Sequence, residues 1–106
     1  MTNVLINAPK TARRGELIEL KTLILHPMET GFRPGTNGGI IPRNIIQRFV
    51  ATWNGTEIFS MDLSPAISAN PFVSFFTVAT ESGRVAFRWS GDEGFLAEES
   101  VTIDVV

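Results

Sequence analysis

Between Glu16 and Leu25 the chain reads ELIELKTLIL, and its side chains separate with a period of two. Ile18, Leu20, Thr22 and Ile24 fall on one face, and Leu17, Glu19, Lys21, Leu23 and Leu25 fall on the other. A helix needs a period of about 3.6, so this stretch reads as a strand with one buried face. The same alternation recurs along nearly the whole chain. In NIIQRFVATW (44–53), Ile45, Phe49, Ala51 and Trp53 lie on one side, with Arg48, Val50 and Thr52 opposite. Asn54-Gly55 is a hairpin signal, because both residues accept the positive φ of a type I′ turn. EIFSMDL (57–63) is the returning strand, and FVSFFTVA (72–79) follows. In that strand Phe72, Phe76 and Val78 are expected in the core, with Val73 and Phe75 pointing the opposite way.

A turn at Glu81-Ser82-Gly83 leads to RVAFRW (84–89), with Val85, Phe87 and Trp89 inward. A further turn over Ser90–Gly94 precedes a last strand that turns Val101, Ile103 and Val105 inward. With a short strand near Val4–Ile6 the count is about seven. Short strands at this spacing predict an all-β fold, an immunoglobulin-like antiparallel sandwich, in one domain over residues 1–106. The chain has no cysteine, so the fold carries no disulfide, and zinc-thiolate sites, iron–sulfur clusters and cysteine nucleophiles are excluded with it.

Net charge is −2, and the nine basic residues are scattered except for Arg13-Arg14, so nothing forms the basic stripe that nucleic acid requires. No apolar run is long enough to span a membrane as a helix. Arg13-Arg14 superficially resembles a twin-arginine export signal. Gly15, Glu16, Glu19 and Lys21 follow where an apolar stretch should be, so the pair reads as a solvated turn and no export signal is expected.

Two connections exceed a tight turn. Residues 26–43, HPMETGFRPGTNGGIIPR, hold three prolines and four glycines, and residues 62–71, DLSPAISANP, hold two more prolines. Loops longer than about 12 residues are uncommon in compact domains and often functional. Several strands are also apolar on both faces. Leu23, Leu25, Phe59, Met61, Val73 and Phe75 form a candidate apolar interface. A covering loop or a different register would explain them, and so would a protein–protein contact, since exposed apolar patches beyond about 300–600 Å² usually mean binding.

His26 is the only histidine. With Glu29 close by, and Thr30, Ser64 or Ser68 as conceivable nucleophiles, it is the one candidate for catalysis by a small hydrolase. No serine-triad order or nucleophile elbow accompanies it. His26 and Met28 could offer ligands to copper, but the remaining donors are missing. Trp53 and Trp89 could stack on sugars, yet both sit on the apolar faces of their strands. Asp92-Glu93 and Glu98-Glu99 match no calcium loop. No cofactor or metal is expected. What remains is a partner-binding loop: Pro27 fixes the exit from its strand, Gly31 permits a left-handed turn, and Phe32, Arg33, Ile40 and Ile41 offer contacts.

HPMETGFR, IPRNIIQRF (41–49), NGTEIF (54–59), DLSPAISANPF (62–72) and TVATESG (77–83) together resemble the SoxZ family, from about Ala8 through the final strand. That family is the Z subunit of the carrier complex in bacterial sulfur oxidation. The resemblance implies an immunoglobulin-like, non-catalytic subunit paired as a heterodimer with a Y subunit. The Y subunit bears the sulfur intermediate on a cysteine in a glycine-rich C-terminal arm, which is presented transiently to the other Sox enzymes. It also implies a periplasmic location, reached by export together with the signal-bearing partner. His26, Met28, Glu29, Thr30, Gly31, Phe32 and Arg33, with Pro42 and Arg43, are then the expected partner-binding loop, and no catalytic role is implied. A Z-like module serving a different carrier or dehydrogenase is the alternative. A homodimer of the isolated chain through the same apolar sheet is possible, and the sequence leaves open whether it forms.

Overall fold

The computed structural model describes residues 3–106. Eight strands are present among them: β1 (Val4–Asn7), β2 (Thr11–Ala12), β3 (Leu17–Ile24), β4 (Ile46–Trp53), β5 (Thr56–Asp62), β6 (Phe72–Val78), β7 (Gly83–Gly91) and β8 (Leu96–Val105). They form a three-stranded sheet in the order β1-β3-β6 and a five-stranded sheet in the order β2-β8-β7-β4-β5. All pairings are antiparallel except β2 with β8. This is the expected immunoglobulin-like sandwich, with one strand more than expected. The additional β2 is two residues long, too short to show a period.

In β3, β7 and β8 the buried face is the one that the alternation marks. Ile18, Leu20, Thr22 and Ile24 line the core from β3, and Val85, Phe87, Trp89 and Ile103 line it from β7 and β8. Phe49 sits at the aromatic centre, with ring centroids 5.1 Å from Trp89 and 6.2 Å from Phe75 and Phe87. Trp53 is also buried, and its indole N–H donates to the Glu81 carbonyl at 2.9 Å. At the β4–β5 turn Asn54 and Gly55 have φ of 50° and 85°, the two positive values of a type I′ hairpin.

In β6 the face assignment is the reverse of the expected one. Val73 and Phe75 are buried, while Phe72, Phe76 and Val78 are exposed. The register decides it: β6 places Val73 opposite Thr22 and Phe75 opposite Leu20, both core-facing, and Phe76 opposite Glu19. With apolar residues on both faces, FVSFFTV fits either phase taken alone. Its partner strand selects the phase. Phe59 and Met61 are likewise half-buried against the core rather than free. Phe59 stacks on Phe75 across the sandwich with centroids 4.5 Å apart and planes 4° from parallel.

Candidate functional site

Residues 26–44 are a hairpin rather than an irregular loop. Glu29 and Asn44 exchange two backbone hydrogen bonds of 2.8 Å, Ile41 N–H donates to the Arg33 carbonyl at 2.8 Å, and Pro34 lies opposite Ile40. Gly31 turns the outgoing strand with φ +89°, where an added Cβ would stand 2.9 Å from Arg43 Cβ. Glu29 and Arg33 form an ion pair at 2.6 Å along the same strand. The Arg33 guanidinium holds the Glu29 carboxyl below its ordinary value, and Glu29 raises that of Arg33.

The hairpin is fastened to the sandwich at three places. His26 is buried, and its Nδ1 accepts the Met28 backbone N–H at 2.9 Å. That bond requires an unprotonated Nδ1, so the neutral ring carries its proton on Nε2. Nε2 and Asn44 Oδ1 are buried without hydrogen-bond partners. Burial lowers the imidazole pKa and outweighs Asn44 and Asp92, which raise it. The ring packs edge-on against Phe95 at 4.8 Å, and the His26 backbone exchanges bonds with Asn70 from the 62–71 connection. Met28, with φ 49°, is buried too, and its Sδ accepts the Ile46 N–H at 3.2 Å. Arg43 and Asp92 close the base, and Asp92 also accepts the Ile45 N–H at 3.1 Å.

The nine residues expected as a partner-binding loop therefore divide. His26 and Met28 are buried and shape the hairpin, so neither offers a contact surface. Glu29 and Arg43 are engaged in ion pairs, Gly31 makes the turn, and the Thr30 hydroxyl accepts the Phe32 N–H at 3.3 Å. Phe32, Arg33 and Pro42 face solvent, with Phe32 84% exposed, and Ile40 stands exposed near the tip. Asp92 was legible only as a turn residue. Its part in the hairpin rests on contacts 45 to 49 residues apart, which no local pattern announces.

A second surface is the outer face of the β1-β3-β6 sheet. Leu5, Leu17, Phe72 and Phe76 are 62–69% exposed there, with Leu25 and Val78 beside them. Of the expected apolar interface, Leu23 and Leu25 belong to this face. Val73 and Phe75 do not, and Phe59 and Met61 lie on β5 of the other sheet. Among the described residues no group of three His, Cys, Asp or Glu side chains could hold a metal ion. Nor is any helix long and apolar enough to cross a membrane.

The fold is shared with solved structures at low identity. A superoxide reductase (neelaredoxin) from Ignicoccus hospitalis matches with TM-score 0.74 and 18% identity, covering 99% of this chain and 82% of that one. The sulfur carrier protein SoxY from Chlorobium limicola f. thiosulfatophilum matches with TM-score 0.69 and 14% identity, covering 97% of this chain and 78% of that one. Both likenesses speak for the sandwich alone. No significantly similar sequence is found among curated proteins. Residues 6–102 match the family described as sulphur oxidation protein SoxZ. With nearly its whole length matched, the chain belongs to the SoxZ family.

Proposed function

We propose that this chain is the non-catalytic subunit of a SoxYZ-type carrier complex in thiosulfate and sulfur oxidation. It scaffolds a Y subunit whose cysteine arm holds the sulfur intermediate, and it helps present that arm to Sox enzymes in the periplasm, which it reaches by export with its partner. One observation carries this reading: a SoxZ-family chain without cysteine commits its single histidine to the interior of its own hairpin. No thiol is available to hold a covalent sulfur intermediate. The one candidate base has Nδ1 occupied and Nε2 buried, out of reach of a substrate proton. What the chain offers outward is a fastened hairpin with Phe32, Arg33 and Ile40 at its surface, an apolar-and-arginine mixture suited to docking.

The test replaces Phe32→Asp and Ile40→Asp together, which leaves the Glu29–Arg33 pair intact, and measures turnover in a reconstituted pathway containing the Y subunit. The variant is expected to keep its melting profile, because both side chains are exposed and the backbone bonds of the hairpin remain. Assembly with the Y subunit or turnover is expected to fall, on the order of tenfold or more, as for loss of a central aromatic contact. Normal assembly with full turnover would refute the hairpin's part in the proposal.

A further inference from the structure

The outer face of the β1-β3-β6 sheet is apolar at both ends and charged in the middle. Along β3 and the residue that follows it, the face reads Leu17, Glu19, Lys21, Leu23, Leu25. Beside these, β6 places Val78 at Leu17, Phe76 at Glu19, Ser74 at Lys21 and Phe72 at Leu23, and β1 places Asn7 at Lys21 and Leu5 at Leu23. Strands of 4, 8 and 7 residues, at about 3.3 Å per residue and about 4.8 Å apart, cover roughly 300 Å², at the lower end of the size range of functional apolar patches.

We propose that this face closes on the same face of a second copy of the chain. The two-fold axis lies in the interface, crosses β3 at right angles and passes over Leu20. That operation carries residue 19 onto residue 21, so Glu19 of each copy meets Lys21 of the other. It sets Leu17 on Leu23 and Val78 on Phe72, apolar on apolar. It also sets the large Phe76 on the small Ser74. Hollows of about 270 and 230 Å³ flank Leu5 and Leu23, where Leu17 of the second copy arrives. The Glu19–Lys21 contact within one chain is long, 3.7 Å, with both side chains partly exposed, so it yields readily to a contact between copies. Stacked sheets twist by about 30°, which displaces distant rows most. The charged row lies nearest the axis and keeps its register. An axis along β3 would instead stack Glu19 on Glu19 and Lys21 on Lys21. Only one of these two arrangements is complementary in charge, and it needs no other kind of chain.

The test is sedimentation velocity on the isolated chain between about 1 µM and 1 mM, the range in which modest interfaces dissociate. The wild type is expected to pass from monomer to dimer. Glu19→Lys and Lys21→Glu each place like charges in opposition and are expected to weaken the dimer on the order of tenfold or more. Mixed in equal amounts, the two variants regain opposite charges at both contacts and are expected to form a heterodimer at least as tight as the wild-type dimer. Circular dichroism checks that each variant remains folded. A wild type that stays monomeric throughout overturns the proposal. So do single variants that dimerise as the wild type does, or a mixture that associates no better than its components.

Discussion

Arg43 and Asp92 form a two-pronged ion pair, Nε to Oδ2 and Nη2 to Oδ1, each at 2.9 Å and across 49 residues. It ties the returning strand of the hairpin to the turn between β7 and β8. The same carboxylate accepts the Ile45 N–H and the Gln47 side-chain amide. Arg43 and these donors hold the Asp92 carboxyl below its ordinary value. Gly91 makes the approach possible, since a Cβ there would stand 2.2 Å from the Ile45 carbonyl oxygen.

Asp92→Asn removes the negative charge and one of the two acceptor oxygens while keeping the shape of the side chain. Amide hydrogen exchange at Glu29, Asn44 and Ile45 is expected to quicken by about an order of magnitude, with amides around Trp89 unchanged, because the hairpin opens locally. Equal acceleration in the hairpin and the core would show that the pair does not act on the hairpin specifically.

Phe75 and Phe76 are neighbours in sequence on opposite faces of β6. Phe75→Ala empties a core position and is expected to cost about 3–5 kcal/mol. Phe76→Ala removes a ring exposed in the monomer and, at a concentration that keeps the chain monomeric, is expected to stay within about 0.5 kcal/mol. Urea denaturation of the two variants decides the register, and the reverse order of effects would contradict it.

How far the sequence carried these positions depended on where the information lay. The strands of alternating pattern, Ile18 to Ile24 and Val85 to Trp89, showed which side chains are inward. The Asn54-Gly55 turn announced itself by chemistry. FVSFFTV did not show its phase, because only pairing with Leu20 and Thr22 selects Phe75 over Phe76. HPMETGF stood out as a loop of consequence. That His26 and Met28 would turn inward depends on Asn70, Phe95 and Ile46, which are remote in sequence. Exposed residues such as Phe32 and Arg33 stand out as candidates for contact only once the buried ones have been removed from the set.

The ordinary pKa of His26 is 6.5, and burial lowers it in the folded chain. The unfolded chain therefore binds a proton first as pH falls. Stability from the neutral ring is complete above about pH 6.5 and is lost as pH drops from there through the folded pKa, at most about 1.4 kcal/mol per pH unit. Glu29 and Asp92, whose pKa values are depressed, act in a separate and more acidic window, below the ordinary carboxylate range. His26→Asn keeps an acceptor for the Met28 N–H without a titrating group. Its stability is expected to be flatter than that of the wild type between pH 6.5 and the carboxylate window. Parallel curves would contradict a buried neutral imidazole.

Gly31 and Gly38 separate two effects of a side chain. Both have positive φ, +89° and +84°, but only Gly31 faces a neighbour, Arg43 Cβ at 2.9 Å. Gly38→Ala is expected to cost about 1–2 kcal/mol from backbone strain alone. Gly31→Ala is expected to cost about 1–3 kcal/mol more, because Arg43 must shift. Thermal melts of the two variants check the difference, and equal losses would mean that the hairpin strands are not closely packed there.

The central claim is that this chain supports a sulfur carrier without carrying sulfur itself. Affinity capture of the chain with the Y subunit from thiosulfate-grown cells, followed by intact mass of both components, tests it most directly. The expected result is a stoichiometric complex in which sulfur adducts lie on the C-terminal cysteine of the Y subunit and this chain has its unmodified mass. Recovery of the chain alone from extract that contains the Y subunit would contradict the claim, as would sulfur adducts on this chain.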